Sequence, residues 1–274
     1  MTGAEHSTAP DAGQPDGAGT RPGDRGDRWE WDAATYNRIA DPHVRWGDDV
    51  LARLRLTGAE RVLDAGCGPG RVTERLLARL PAGRVLGLDR SPAMLREAYR
   101  RLTPARAGGR LFLVCADLGA PLPLRRPVDA VLSTATFHWV RDHEALFGHL
   151  AAVLRPGGQL VAQCGGAGNI ATVVEALRQT GERWAGPWTF ATAEETRARL
   201  ERAGFRKVET WLNPEPTPLA AGGPLEAYLE TVCLGAHLDR LPEAERRPFV
   251  EAVAARLPRA EIDYVRLNIV AERA

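Results

Sequence analysis

Lysine is almost missing from this chain: Lys207 is the one lysine among 274 residues, and every other basic residue is arginine. Such usage marks GC-rich coding more than chemistry. It nevertheless removes a Tyr-x-x-x-Lys hydride-transfer pair, and so argues against a nicotinamide-dependent oxidoreductase. Surplus charge is missing as well. With 36 basic and 35 acidic residues the net charge is +1, so no overall field draws the chain to nucleic acid or to a membrane surface. Cysteine is scarce, and residues 67, 115, 164 and 233 stand apart, without a C-x-x-C pair and without a secretory leader ahead of them. That spacing supports neither a disulfide framework nor a zinc site, and a reducing cytoplasm is the expected compartment. No apolar run approaches the roughly 18 to 20 residues that cross a bilayer. A soluble protein with no membrane partner is expected.

What is present fits one globular domain with extensions, 44% hydrophobic and 26% charged. Residues 1–28 are rich in Gly, Pro, Asp and small polar side chains; so little apolar surface cannot offset the entropy of ordering, and a disordered tail is expected. From Trp29 the character changes. Residues 29–60 carry Trp29, Trp31, Tyr36 and Trp46 on a helical pattern broken at Asp41-Pro42, an aromatic leader ahead of the core.

A regular alternation follows. The apolar runs 61–66, 84–89, 111–117, 128–135 and 159–165 are separated by helical patterns at 71–80, 91–102 and 142–154. Short runs bounded by Gly, Pro and Asp and alternating with helices argue for a doubly wound α/β fold with a mostly parallel sheet. Helices are expected at 169–184 and 193–203, and strands at 205–213 and 262–273 bring the sheet to seven. A Pro-rich stretch leads from residue 214 into a helical block at 225–257. The expected division is therefore a core over 61–213, a helical cap over 214–260 and a closing strand over 261–274. No internal repeat is visible.

The stretch RVLDAGCGPGRVTERLL, residues 61–77, places Asp64 two residues ahead of Gly66, Gly68 and Gly70 and runs straight into a helix. Three alternating glycines allow positive φ and close backbone approach, which suits a loop that touches a ligand beyond the carboxyl ends of the strands. Asp89 closes the second run and Asp117 the third, so three acids punctuate three successive strand ends. An acid at the end of the second strand is placed to grip ribose hydroxyls. The spacing is G-x-G-x-G rather than the dinucleotide G-x-G-x-x-G, and an acid beside the loop suits an ammonium better than a pyrophosphate. S-adenosylmethionine carries an ammonium and a sulfonium. A helix cap is the plainer role for each acid taken alone.

VLDAGCGPG, GLDRSPAML, CADL and HLAAVLRPGGQL resemble, in order and spacing, the successive motifs of class I S-adenosylmethionine-dependent methyltransferases over residues 61–165. The resemblance implies S-adenosylmethionine as cofactor and a Rossmann-like seven-stranded sheet. By position, Gly66, Gly68 and Gly70 would admit the methionine part and Asp64 would orient their loop. Cys67 would fill a small-residue slot, and Asp89 would bind both ribose hydroxyls. Arg90 and Met94 would flank the adenine, Asp117 and Leu118 would hold its edge, and Ser133 and Thr134 would face the methionine part or the substrate. A narrower similarity, to the trans-aconitate methyltransferase group, lies in WDAATYNRIADPH and TFHWVRDHEALFGHLAAVLRPGG and extends into the cap. It implies an aromatic lid and a Trp after the fourth strand. Where that group carries an Arg-Pro pair in its cap, this chain has LGAHL at 234–238, which argues against a tricarboxylate acceptor.

Methyl transfer from a sulfonium is an in-line displacement in which the protein positions nucleophile and methyl and excludes water. A carboxylate nucleophile needs no base. For a hydroxyl, amine or carbon nucleophile His138 is the candidate base, with a wall-filling role as its alternative. His143 and His149 are expected to face solvent or to pack, and the spacing of the three histidines does not suit a metal. Trp31, Tyr36, Phe137 and Trp139 are candidate substrate-contacting residues; Trp46, Trp184 and Trp188 could join them or simply pack. A small-molecule methyl acceptor is expected, a carboxylic acid or a secondary metabolite. C- or N-methylation, or a methyltransferase-like cyclase or scaffold, stands as the alternative.

Overall fold

The structure, a computed structural model, describes the backbone of residues 41–274 and side chains from Arg45 onward. The tail at 1–28 and the first part of the leader, residues 29–40 with Trp31 and Tyr36, lie outside the described residues. The chain opens with α1 (Asp41–Ala52), followed by β1 (Arg61–Ala65), α2 (Arg71–Ala78), β2 (Arg84–Asp89), α3 (Pro92–Arg101), the short α4 (Thr103–Ala107) and β3 (Leu111–Cys115). Next come β4 (Val128–Thr134), a 3-10 turn at Phe137–Trp139, α5 (His143–Val153), β5 (Leu154–Gly165), α6 (Ala171–Gln179), α7 (Ala193–Arg202) and β6 (Phe205–Pro214). After β7 (Thr217–Pro218) the cap runs through α8 (Gly223–Tyr228), a π turn (Leu229–Cys233), α9 (Gly235–Leu238) and α10 (Glu243–Ala254) to β8 (Glu261–Ile262) and β9 (Val265–Arg273).

The seven-stranded sheet has the order β3-β2-β1-β4-β5-β9-β6. β1 to β5 are parallel, and β9 enters antiparallel between β5 and β6. The strand order reverses at β1, so a crevice opens at the carboxyl ends of β1 and β4, where open α/β sheets take ligands. Because β9 runs the other way, its first residues lie on that same edge. The central strands are apolar on both faces, with Val62, Leu63, Val131, Leu132 and Leu160 buried, as a sheet covered by helices on both sides requires.

Local signals fix the helix starts that frame the crevice. Ser91 Oγ accepts from Met94 N (3.1 Å) ahead of Pro92 at the start of α3, and Asp142 caps α5. Thr192 and Glu195 form a reciprocal capping box on α7. Three expected bounds differ. The helix expected at 169–184 ends at Gln179, because Gly181 takes φ 90°, so Trp184 and Trp188 sit on irregular chain. The fifth strand begins at Leu154 and slips its register against β4 between Val128 and Ala130, around Gly157 at φ 75°. The block expected as helix over 225–257 is broken at the π turn and again after Leu238. Its apolar face packs on α6 and on Trp46 and Tyr264, and the Tyr228 and Tyr264 hydroxyls meet at 2.8 Å.

Candidate active site

β1 ends in the loop Gly66–Gly70. Gly66 N and Cys67 N both donate to Leu88 O, at 2.7 and 2.9 Å, which fastens the loop to β2. Asp89 completes the arrangement: Oδ2 accepts from Gly68 N (2.8 Å) and Oδ1 from Ser91 N (2.9 Å). A carboxylate has about four acceptor positions, so each oxygen keeps capacity for a ligand hydroxyl. Burial raises the Asp89 pKa, and the Ser91 and Gly68 amides oppose the rise.

The three glycines do different work. All have positive φ, 82°, 52° and 83° in order, a region that favours glycine. A Cβ on Gly66 would lie 2.2 Å from Thr136, and one on Gly70 would lie 2.8 Å from Leu102, which ends α3. One on Gly68 would meet nothing within 4 Å, and Gly68 lines the cavity. Gly68→Ala is therefore expected to destabilise the fold by only ~1 kcal/mol while weakening cofactor affinity about tenfold. Gly70→Ala should cost more stability, and the folded variant should bind nearly as the wild type does. Urea unfolding and calorimetric titration separate the two, and the reverse pattern would place the ligand elsewhere.

Beyond the loop a single cavity runs along the strand ends. One half is lined by Gly66, Cys67, Gly68, Asp89, Arg90 and Met94, with Asp117 and Leu118 beside them. The other half is lined by Thr134, His138, Trp139, Gln163, Trp188 and Phe190, with Trp46, Tyr264 and Arg266 closing it. Asp117 Oδ1 accepts from Gly119 N at 2.8 Å and its side chain is exposed. Cys67 sits over Gly87, whose missing Cβ would lie 3.1 Å from the sulfur. Burial and the charges of Asp64 and Asp89 push that thiol well above its ordinary range, so it is a space-filler and no nucleophile.

Four expected positions do not reach the cavity. Asp64 is fully buried beneath the loop, with Thr73 Oγ1 donating to Oδ2 (2.6 Å); it supports the helix that follows and contacts no ligand space. Ser133 points to the neighbouring strand and donates to Ala65 O (2.6 Å). Phe137 is buried edge-on against Phe147, 6.0 Å between centroids. Gly70 faces α3, as above. Period two explains Ser133, since Thr134 is the neighbour that turns into the cavity. His143 and His149 pack, His143 Nε2 on Phe137 O (3.0 Å) and His149 Nδ1 on Leu118 O (3.3 Å).

His138 is buried and its ring lies against Trp139 and Phe190, with centroids 5.2 and 5.9 Å away. Its Nδ1 accepts from Gly165 N at 3.2 Å. A backbone amide can only donate, so Nδ1 is unprotonated and the neutral ring carries its proton on Nε2. In this tautomer the ring is a hydrogen-bond donor and has no lone pair left for a base.

The arrangement suits a nucleoside ligand beside a second, aromatic-walled compartment. A family model described as a methyltransferase domain matches residues 62–158. The chain is 33% identical over 239 residues to the trans-aconitate 2-methyltransferase of Paracidovorax citrulli, across 81% of this chain and 87% of that one. To the enzyme of the same name from Methylobacterium radiotolerans it is 30% identical over 267 residues, across 89% and 99% of the two chains. The chain belongs to the class I S-adenosylmethionine-dependent methyltransferases. Within them it falls in the group of the trans-aconitate 2-methyltransferases. The fold agrees: magnesium protoporphyrin IX methyltransferase from Synechocystis, solved with bound SAH, superposes with a TM-score of 0.55 at 19% identity over 87% of this chain and 86% of that one. The cofactor of this methyltransferase is S-adenosylmethionine. Among the described residues, no helix is long and apolar enough to cross a membrane.

The expected list lacked much of the second compartment. Gln163, Asn169, Ile170, Phe190, Tyr264 and Arg266 all line the cavity. The available signal was a polar residue interrupting an apolar strand: Gln163 in LVAQCG, and Arg266 and Asn268 in VRLNIV. Gln163 and Asn268 prove to be register partners on β5 and β9. Backbone strain marks the same place. Ala135 and Ile170 have φ of 54° and 50° and both line the cavity, and a left-handed β-branched residue persists only where its surroundings impose it.

Proposed function

We propose that this methyltransferase esterifies a carboxylate oxygen of a small acid. The observation that carries this reading is the absence of a general base in the second compartment among the described residues. His138 Nδ1 is committed to the Gly165 amide. Burial pushes the Cys233 thiol up to about 12 and the Tyr264 phenol well above its usual range. Hydroxyl, amine and carbon nucleophiles commonly need a proton removed, whereas a carboxylate attacks as it stands. The relatives named trans-aconitate 2-methyltransferase share nearly the full chain and support an acid as acceptor.

In this reading Asp89 would take the ribose hydroxyls, Met94 and Leu118 would clasp the base, and Asp117 would accept from its amino edge. The loop at Gly66 and Gly68 would receive the methionine part. The residues present fit the group: Asp89 keeps acceptor capacity at the cavity wall, and Met94 and Leu118 give that half an apolar lining. When bound, S-adenosylmethionine supplies an electrophilic methyl on a sulfonium. The chain's part is to hold the acceptor oxygen in line with that methyl, to exclude water, and to offer the His138 Nε2 proton as a positioning donor. The core at 61–213, the cap at 214–260 and the closing strand at 261–274 are taken as the working units. Four free thiols suit a cytoplasmic enzyme.

The test is incubation with S-adenosylmethionine and a panel of small acids, alcohols and amines, with products read by mass spectrometry. Methyl esters are expected, with a kcat/KM flat between about pH 6 and 9, above the ordinary titration of the acceptor acid. Methylated alcohols or amines, formed with a rate that rises with pH, would overturn the reading.

A further inference from the structure

Arg71 and Arg75 line the cavity from α2, Arg75 paired with Asp48; among the described lining residues from Thr134 onward, Arg266 alone is ionic. It projects from the start of β9 and is only 2% exposed. Its guanidinium lies 4.4 Å from the Trp46 ring centroid and 5.8 Å from that of Tyr264. Nε reaches Gln163 Oε1 at 3.4 Å. Gln163 is in turn fixed by its register partner, Nε2 donating to Asn268 Oδ1 at 2.9 Å, and Arg53 Nη1 donates to the same oxygen at 2.6 Å. The amide oxygen that meets Arg266 is thereby chosen by Asn268 and Arg53, and the guanidinium is held in one orientation.

The walls around it are aromatic. Trp139 and Trp188 stand 6.1 Å apart, Trp188 and Phe190 stack at 5.8 Å and 12°, and His138 stacks on Phe190 at 27°. The cap adds Val232 and Cys233. His237, the histidine of LGAHL, is 1% exposed and packs on Trp184 (4.7 Å) and Phe249 (6.4 Å), outside the lining. The cap thus brings no charge to the acceptor.

We propose that Arg266 binds the acceptor's carboxylate, and that the acceptor is a monocarboxylate with a flat, apolar body that lies between the rings. The proposal rests on the esterification reading above. A planar guanidinium held between rings is suited to a bidentate carboxylate. Ring faces accept a flat unsaturated or aryl body. A second or third carboxylate would have to shed its water against these aromatic walls, a large penalty. A cationic acceptor is disfavoured by the same arginine.

The test is a titration in which no turnover is needed. Cinnamate, cinnamamide and trans-aconitate are titrated into wild type, Arg266→Gln and Arg266→Lys, each saturated with S-adenosylhomocysteine, whose own affinity is measured separately. Wild type should bind cinnamate at least tenfold more tightly than cinnamamide or trans-aconitate. Arg266→Gln should weaken cinnamate at least 30-fold, with Arg266→Lys intermediate and S-adenosylhomocysteine within threefold of wild type. Should Arg266→Gln fail to fold, the lysine variant and the acid-to-amide comparison in wild type still decide. Equal binding of acid and amide, or tighter binding of trans-aconitate, or no binding of either acid, would overturn the proposal. So would a variant that loses S-adenosylhomocysteine and keeps cinnamate, because Arg266 would then serve the cofactor's own carboxylate. Acid binding without ester formation would instead remove the esterification reading, and esters formed indifferently to Arg266 would remove this one.

Discussion

Asp89→Ala is expected to weaken S-adenosylmethionine binding by at least about 100-fold while the unliganded protein keeps most of its stability. The side chain has two tasks: it ties Gly68 N and Ser91 N, at 2.8 and 2.9 Å, and it faces the cavity. Two charge-assisted bonds to ribose hydroxyls, each worth roughly 1.5–3 kcal/mol, convert to about two to four decades in Kd. The unliganded fold loses far less. Burial raises the carboxyl's pKa, so the charge is itself a burden on the folded state, and the Gly68 amide, at the cavity wall, can bond to water instead. Asp89→Asn keeps the shape but presents an amide nitrogen to one of the two N–H groups, and should fall between. Calorimetric titration with parallel thermal melts checks the pair. Affinity that survives in a folded alanine variant would mean that the ribose does not sit at β2.

The alternation of short apolar runs with helices was legible because it reflects burial of a sheet on both faces, and each run fell on a strand of the core. The glycine loop and Asp89 were legible for another reason: positive φ and a strand-end acid leave a residue-type signature that needs no tertiary information. Asp64 and Ser133 show where that stops. Both lie at strand ends in motif positions, yet the pleat and the helix above decide which side chain enters the crevice, and Thr134 took the place of Ser133. Arg266 was hidden more deeply. It sits 202 positions after Asp64 in the chain, and only the antiparallel insertion of β9 between β5 and β6 brings it to the same edge. The irregular segment carrying Trp188 and Phe190 has no periodicity to read; its role comes from packing against His138 and Trp139.

The Asp64 carboxyl should make stability fall as pH rises, the reverse of the usual behaviour of a paired acid. Complete burial, with a smaller push from the Asp89 charge, raises its pKa to about 7 although Thr73 bonds to it. Unfolded, the same group titrates near about 3.9. Between those values the folded chain holds a proton that the unfolded chain has released, so stability is lost through this window and levels off above about 7. At ~1.36 kcal/mol for each pH unit, the loss sums to on the order of 4 kcal/mol. His143 and His237, whose pKa values burial lowers, act oppositely below about 6.5, so the wild-type-minus-variant difference is the quantity that isolates Asp64. Asp64→Asn can still accept from Thr73 Oγ1, but it puts an NH2 where Oδ1 has no hydrogen-bond partner, at a cost of about 1–3 kcal/mol. The variant should therefore be less stable than wild type near pH 4 and more stable near pH 8, with the two curves crossing between. Urea unfolding at a series of pH values measures this directly. Parallel curves would mean that the carboxyl is ionised throughout, and that the fold meets its charge with a partner other than Thr73.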